Sequence, residues 1–253
     1  LKRDIPQANG AKGIIEKIQN IFFKLNQQTM TKIQAFIFDL DGVIVDTAKY
    51  HFLAWKRLAD ELQIPFDEAD NEHLKGVSRV DSLQYILKLG NKTLDTTTFQ
   101  DCLTRKNEWF TDYIYSMAPD EILPGVQTFL TFLKERHYRI ALGSASKNAR
   151  LILDKIGMTH FFEVIIDGNA VTQAKPNPEV FLKGAEGLGV APENCVVFED
   201  GIAGVEAAQR AGMKAIGVGS PDILGSAEKV ISGFSPLSPK GGIEDLLQYL
   251  DIQ

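Results

Sequence analysis

The sequence predicts an α/β protein, a Rossmann-like core on a parallel sheet with a helical cap inserted near its start. Three observations carry this. Five short apolar segments, at 35–40, 139–143, 163–166, 195–199 and 215–218, read as buried strands. Between the later ones come helical patterns near 126–136, 147–156, 178–188 and 203–211, and such alternation implies a parallel sheet covered on both faces. Third, roughly a hundred residues separate Asp41 from Arg139, far more than one crossover helix needs.

The chain opens with a segment, residues 1–31, expected to lie outside the core as a leader. Ile14, Ile18, Ile21 and Leu25 fall at helical spacing, with Ile15 and Phe22 alongside, which suggests one short amphipathic helix. Glu16, Lys17 and Lys24 interrupt it, so it is a poor secretory segment. Met30-Thr31-Lys32 reads as a natural start directly before the first strand.

The first strand carries the sharpest signal. Four apolar residues, Ala35 to Phe38, end in Asp39-Leu40-Asp41-Gly42-Val43: two carboxylates one residue apart, then a glycine. Ligand sites of open α/β sheets lie beyond the carboxyl ends of such strands. Two acids there are costly unless a metal, a proton or a cation compensates them. Asp and Gly also build ordinary solvated turns, but the combination with a buried strand points to phosphoryl transfer. After this strand the interval holds helical patterns at 50–62, 82–89 and 98–115 and little strand signal. A helical cap over 48–115 follows, with hinges near 45–48 and 116–121, and the core is then 32–47 together with 116–253.

The remaining strand ends complete a constellation. Asp39 is placed to attack phosphorus as a carboxylate nucleophile, and Asp41 to give or take a proton. Val196-Val197-Phe198 runs into Glu199-Asp200-Gly201, again acids at a strand end. Asp39 and Asp200, with the Asp41 backbone carbonyl, would hold magnesium, and Glu199 would bind it directly or through water. Gly143-Ser144-Ala145-Ser146-Lys147-Asn148 follows the second strand and opens a helix, a setting that suits an anion, although Ser146 alone would serve as an N-cap. Lys175, in Ala174-Lys175-Pro176-Asn177-Pro178, follows the third strand and offers an ammonium to a transferring phosphoryl group.

Asp39-Leu40-Asp41-Gly42-Val43, Ser144, Lys175 and Glu199-Asp200 match, in order, the four motifs of the haloacid dehalogenase superfamily. The resemblance covers the chain from about residue 32, and its first motif is specific for phosphoryl transfer because dehalogenases lack the second aspartate. Within that superfamily the insert resembles the cap of the β-phosphoglucomutase family, through Asp46-Thr47-Ala48-Lys49-Tyr50-His51-Phe52-Leu53-Ala54-Trp55, Leu74-Lys75-Gly76-Val77-Ser78-Arg79 with Asp81-Ser82, and Arg105-Lys106-Asn107. The loop Ser144-Ala145-Ser146-Lys147-Asn148 also has that family's form.

The resemblance implies interconversion of β-D-glucose 1-phosphate and β-D-glucose 6-phosphate. Asp39 would carry the phosphoryl group, with β-glucose 1,6-bisphosphate as intermediate and activator and Mg2+ as cofactor. Thr47 matches a hinge residue that contacts the acid/base aspartate, and Arg79 and Lys147 match residues that grip the phosphate not reacting. His51, Trp55, Lys75, Gly76, Val77, Ser78 and Lys106 are expected to line the substrate site from the cap, and Ser144, Ala145, Ser146 and Asn148 from the core. Gly201 departs from the family, which often carries serine or threonine there, and removes one hydroxyl near the metal. A phosphatase on the same fold is the first alternative. A non-catalytic sugar-phosphate sensor is the second, disfavoured because binding needs no nucleophile.

Composition fits this reading. A chain of 253 residues with 44% hydrophobic and 24% charged content is ordinary for a globular protein. Its net charge of −6 argues against a general nucleic-acid binder. No stretch approaches the roughly 18 unbroken apolar residues of a membrane span. Cys102 and Cys195 are too few for a disulfide framework and fit a reducing cytoplasm. The expected state is a cytoplasmic monomer acting on a small sugar phosphate.

Overall fold

A computed structural model describes residues 33–75, 77–235 and 243–252. The leader helix and Gly76 lie outside the described residues. Six strands, β1 (Ala35–Phe38), β2 (Arg139–Gly143), β3 (Val164–Ile166), β4 (Cys195–Glu199), β5 (Lys214–Val218) and β6 (Lys229–Ile231), form one sheet in the order β3-β2-β1-β4-β5-β6. Every pairing is parallel. The sixth strand was not expected: it is a three-residue edge segment too short for a periodic pattern.

Register positions the chemistry. Phe38 pairs with Leu142 on one side and Phe198 on the other, so Asp39, Gly143 and Glu199 leave the sheet at the same level. Residues of β1 alternate between the two faces. Phe36 and Phe38 join an apolar cluster with Phe129, Leu130, Leu142, Ile152 and Phe198, whereas Ala35 and Ile37 join Ala141, Phe181, Val197 and Val205. Phe38 stacks on Phe198 at 4.8 Å. Burying each such phenylalanine is worth about 1.5–3 kcal/mol, which is why this central strand is apolar on both faces.

Four helices occupy the interval after β1: α1 (Ala48–Glu61), α2 (Glu68–Glu72), α3 (Arg79–Leu89) and α4 (Thr96–Tyr115). Side chains fix three of their starts. Asp67 and Asp70 form a reciprocal capping box on α2, Ser78 accepts from the Asp81 amide at α3, and Asp95 accepts from the Thr98 amide at α4. The short α2 was not expected, because its sequence EADNE has no apolar face for periodicity to reveal.

The insertion has an apolar cluster of its own, with Trp55, Leu58, Ile64, Phe66, Leu83, Ile86 and Leu103. It also sends Ala54, Phe110 and Ile114 into the cluster of the sheet. The described residues accordingly form one compact unit. Both chain crossings between insertion and sheet meet at Glu121: Lys49 Nζ lies 2.6 Å and the Tyr50 hydroxyl 2.5 Å from its carboxylate, and the Asp46 amide donates to its carbonyl at 3.2 Å.

The sheet is covered by α5 (Val126–Glu135), α6 (Ala149–Lys155), α7 (Glu179–Leu188) and α8 (Ile202–Arg210), with α9 (Pro221–Leu224) and α10 (Ile243–Tyr249) near the end of the chain. The helix expected from residue 147 starts at Ala149, because the residues before it form a loop held by serine hydroxyls.

Candidate active site

The first-strand turn is built by one carbonyl. Leu40 O accepts from the amides of Val43, Ile44 and Val45, at 3.3, 2.9 and 3.2 Å. Asp39 extends the ladder through its amide to Phe198 O at 2.9 Å and is buried. Gly42 takes φ of +78°, and a Cβ there would stand 2.1 Å from Asp200 Oδ2. Glycine at this position therefore serves both the turn and the approach of Asp200 to the Asp39–Asp41 loop.

Lys175 is the hub of the buried half. Its Nζ donates to Asp39 Oδ1 at 2.5 Å, Glu199 Oε1 at 2.6 Å and Gly143 O at 3.1 Å, which uses all three of its hydrogens. Its side chain is 1% exposed. Glu199 is equally enclosed, with Oε2 accepting from the Gly201 amide at 2.7 Å and Gly204 offering no Cβ that would collide with its carboxylate. Both Glu199 oxygens are thus engaged by Lys175 and Gly201, so in this geometry it orients the lysine. Burial works against the Lys175 ammonium, but Asp39 and Glu199 more than offset it and hold its pKa up.

Around Asp39 and Asp200 four acids, these two with Asp41 and Glu199, act on one another against Lys175 and Lys75. Burial pushes the Asp39 carboxyl well above the usual range; Lys175 opposes this, while Glu199, Asp41 and Asp200 reinforce it. Asp200 is pushed up to about 7 by burial and by Glu199, against the pull of Lys75, whose Nζ is 3.4 Å away. The haloacid dehalogenase resemblance implies magnesium, and this excess of buried negative charge suits a divalent cation. Among the described residues no three His, Cys, Asp or Glu groups converge as a metal cage. Magnesium does not require one, since it is usually held by one or two carboxylates with phosphate oxygens and waters. Asp39 and Asp200 have the chemistry for that pair.

Asp41 faces the insertion. The Thr47 hydroxyl donates to its Oδ1, and His51 Nε2 lies 3.7 Å from the same oxygen. His51 Nδ1 in turn lies 3.0 Å from Lys106 Nζ. Lys106 is buried over the rings of Trp55 and Phe110, at 4.6 and 4.5 Å. Burial, with Arg79 nearby, pulls the Lys106 amine well below its ordinary range. Burial and Lys106 likewise lower His51. For Asp41 burial acts upward, yet the His51 and Thr47 contacts win and its carboxyl lies below the usual value. A lysine donating to Nδ1 leaves the imidazole hydrogen on Nε2, facing Asp41.

The loop after β2 is a chain of hydroxyl-stabilised turns. Ser144 is fully buried, its amide donating to Ile166 O at 2.9 Å and its Oγ accepting from the Ser146 amide at 3.0 Å. Ser146 Oγ accepts from the Asn148 amide at 3.2 Å. Asn148 Nδ2 reaches across to Asn107 Oδ1 on α4, at 3.0 Å.

These groups face one cavity of about 630 Å³. Asp39, Asp41, His51, Trp55, Lys75, Val77, Ser78, Arg79, Lys106, Ser144, Ala145, Ser146, Lys147, Asn148, Lys175 and Asp200 all line it. Thr47 and Glu199 stand behind the lining, buried against Asp41 and Lys175. The Ser78 hydroxyl is committed to the start of α3, donating to Asp81 Oδ2 at 2.6 Å. A Cβ on Gly201 would lie 3.0 Å from the Lys75 carbonyl, so the residue that departs from the family sits where the insertion touches the core. Sequence reasoning left out Asn71, Asn107 and Gly168, which also line the cavity. Asn107 stood beside the assigned Lys106, and Gly168 is set by the Ala145 carbonyl, which a Cβ would meet at 2.3 Å.

Comparison with known proteins agrees with this geometry. Residues 33–212 match the haloacid dehalogenase-like hydrolase family. A β-phosphoglucomutase of Bacillus subtilis is 41% identical over 219 residues, covering 86% of this chain and 97% of the relative. The crystal structure of a β-phosphoglucomutase from Clostridium difficile superposes with a TM-score of 0.81 at 39% identity, covering 87% of this chain and 97% of that one. A fructose-1-phosphate phosphatase of Escherichia coli is 33% identical over 72% of this chain and 94% of its own length. The chain belongs to the haloacid dehalogenase-like hydrolase family, on its β-phosphoglucomutase branch.

Proposed function

We propose that this enzyme interconverts β-D-glucose 1-phosphate and β-D-glucose 6-phosphate through a phosphorylated Asp39. The observation that supports the reading is that one cavity is lined by Asp39 at a strand end, by Asp41 two residues on, and by Arg79 and Lys147 from other elements. A mutase needs both a reacting and a non-reacting phosphate position.

In the proposed cycle, phospho-Asp39 faces the C6 hydroxyl of bound β-glucose 1-phosphate. Asp41 removes the hydroxyl proton, the oxygen attacks phosphorus, and the Asp39 carboxylate leaves. The resulting β-glucose 1,6-bisphosphate turns end for end. Asp39 then attacks the C1 phosphate, Asp41 returns its proton to the departing C1 oxygen, and glucose 6-phosphate is released with Asp39 phosphorylated again. The lowered pKa of Asp41 keeps its carboxylate ionised and so able to accept the hydroxyl proton. Lys175 orients Asp39 and offsets charge on the phosphoryl oxygens. Magnesium, held by Asp39, Asp200 and the Asp41 carbonyl, would supply electrostatic stabilisation of the transferring group.

Residues 48–115 act as a cap in this proposal, and 32–47 with 116–253 as the catalytic core. Arg79, with its planar guanidinium, and Lys147 would hold the distal phosphate. Binding energy from that phosphate closes the cap and aligns Asp41, which gives the sugar an advantage over water. Residues 1–31 stand outside this machinery, and the enzyme is proposed to work as a cytoplasmic monomer on a small sugar phosphate.

The phosphatase relative marks the second reading, because a hydrolase would use the same core residues. Phosphorus NMR of the wild-type enzyme with β-glucose 1-phosphate and magnesium separates them. The mutase accumulates glucose 6-phosphate, with inorganic phosphate a minor product, and a catalytic amount of β-glucose 1,6-bisphosphate speeds it. Inorganic phosphate released as fast as substrate disappears would establish the phosphatase.

A further inference from the structure

We propose that Glu121 is a positioning residue for the acid/base step, holding the first turn of α1 from the core side of the hinge so that Thr47 stays on Asp41. The inference rests on the reading of Asp41 above. Glu121 itself does not line the cavity, so it would act through the helix it grips.

The two chain crossings are paired by backbone as far as Asp46. The Asp46 amide donates to Glu121 O at 3.2 Å, the Leu123 amide donates to Ile44 O at 3.0 Å, and Val45 bridges Ile122 in antiparallel register. Beyond Asp46 the contact passes to the Glu121 side chain, which accepts from the Tyr50 hydroxyl at 2.5 Å and from Lys49 Nζ at 2.6 Å. Thr47 lies between these two anchorages.

The helix needs that hold because its own start is bare. Thr47 occupies the N-cap position of α1 yet makes no side-chain cap, whereas side chains cap α2, α3 and α4. Its hydroxyl donates to Asp41 Oδ1 instead. A hydroxyl diverted in this way leaves the amides of the first turn without their usual side-chain acceptor. His51, one turn further along α1, faces the same Asp41 oxygen. Both contacts of the insertion with Asp41 therefore ride on the start of one helix.

Tyr50 is the firmer of the two handles. It packs against the apolar cluster of the sheet and stacks on Tyr113 of α4 at 5.8 Å. The Lys49 side chain is 47% exposed, and a surface ion pair of that kind contributes little. Burial pushes the Glu121 carboxyl up, but Lys49 and Tyr50 outweigh it and leave the group below its ordinary range. Tyr50 thus donates to an ionised acceptor, which binds a hydroxyl more strongly than a neutral one does.

The test compares kcat and KM for β-glucose 1-phosphate isomerisation, at saturating magnesium, in Glu121→Ala, Glu121→Gln and Tyr50→Phe, each with and without Thr47→Val. Glu121→Ala and Tyr50→Phe should each lower kcat about threefold to tenfold, the range of one hydrogen bond. KM should move by less than about twofold, because neither side chain lines the cavity. Glu121→Gln keeps an acceptor for Tyr50 and should restore kcat to within about twofold of wild type. In the Thr47→Val background the same substitutions should cost less than about twofold, since the contact through which they act is already gone. A merely structural role would lower the melting temperature and slow both backgrounds by the same factor. That result, or an unchanged kcat in both Glu121→Ala and Tyr50→Phe, would overturn the assignment. Tyr50→Phe, which deletes one hydroxyl, carries the comparison should Glu121→Ala fail to fold. Thr47→Val turning over at the wild-type rate would show that its contact with Asp41 is idle, and this inference would fall with it. Wild-type enzyme that releases inorganic phosphate in place of glucose 6-phosphate would overturn the mutase reading alone, and the same ratios are then taken on phosphate release.

Discussion

The two halves of the cavity are built to different tolerances. On the sheet side, Lys175, Asp39 and Glu199 contact one another at 2.5 and 2.6 Å, with side chains 0–5% exposed. Backbone register sets their relative height, because Asp39, Gly143 and Glu199 leave adjacent strands together. On the helical side the two basic groups that reach the acids do so at longer range, 3.7 Å from His51 to Asp41 and 3.4 Å from Lys75 to Asp200, and the His51 and Lys75 side chains are about a third exposed. The sheet half needs no movement to present a nucleophile. In the proposed function this separates chemistry, fixed in the core, from acceptor selection, delegated to the cap.

Three substitutions or conditions would break that comparison at points of decreasing effect. Asp39→Asn removes the nucleophile and should abolish turnover while the fold persists, because the amide is nearly isosteric but cannot form the phosphoryl ester. Circular dichroism with a turnover assay checks it, and a variant keeping a substantial fraction of the wild-type rate would place the nucleophile elsewhere.

Asp41→Asn should lower kcat by about 10²–10⁴, the usual range for general acid–base catalysis, without loss of magnesium or sugar-phosphate binding. A collapse of magnesium affinity, with near-normal turnover at saturating metal, would instead make the Asp41 side chain chiefly a metal ligand.

The third effect follows from the charge imbalance. Burial raises Asp39 and carries Asp200 to about 7, so protons compete with magnesium for the same oxygens. A raised carboxyl pKa means that the group is protonated below that value and free above it. Apparent magnesium affinity should therefore fall as pH drops below about 7, by up to roughly tenfold per unit for one displaced proton. Titrating magnesium activation across pH 5.5–8.5 measures this, and a flat affinity would mean that Asp200 is already ionised in the metal-free enzyme.

The sheet half was the more legible in sequence. Strand ends are announced by an apolar run that stops at a carboxylate, and in a parallel sheet every such end reaches one edge; Asp39, Ser144, Lys175 and Asp200 could be grouped from that rule alone. The helical half was legible only through resemblance. His51, Arg79 and Lys106 come from three different helices, and nothing in helical periodicity says that His51 Nδ1 will lie 3.0 Å from Lys106 Nζ. The edge strand β6 and the helix α2, with its Asn71, escaped because segments of three and five residues carry no period. Asn107 and its bond to Asn148 depend on the approach of α4 to the loop after β2, a tertiary fact.

The division between a fixed core and a selecting cap is tested most directly by Arg79→Ala, assayed in parallel on β-glucose 1-phosphate isomerisation and on hydrolysis of a small phosphate ester, both at saturating magnesium. Arg79 lines the cavity from the first turn of α3, outside the Asp39–Lys175–Glu199 cluster. Loss of a charged hydrogen-bond partner to phosphate, at about 1.5–3 kcal/mol, predicts isomerisation reduced roughly tenfold to more than a hundredfold. Hydrolysis of an ester with no distal phosphate should fall far less. Equal losses in the two reactions would show that Arg79 serves the reacting phosphate itself, and the proposed separation of chemistry from selection would not stand.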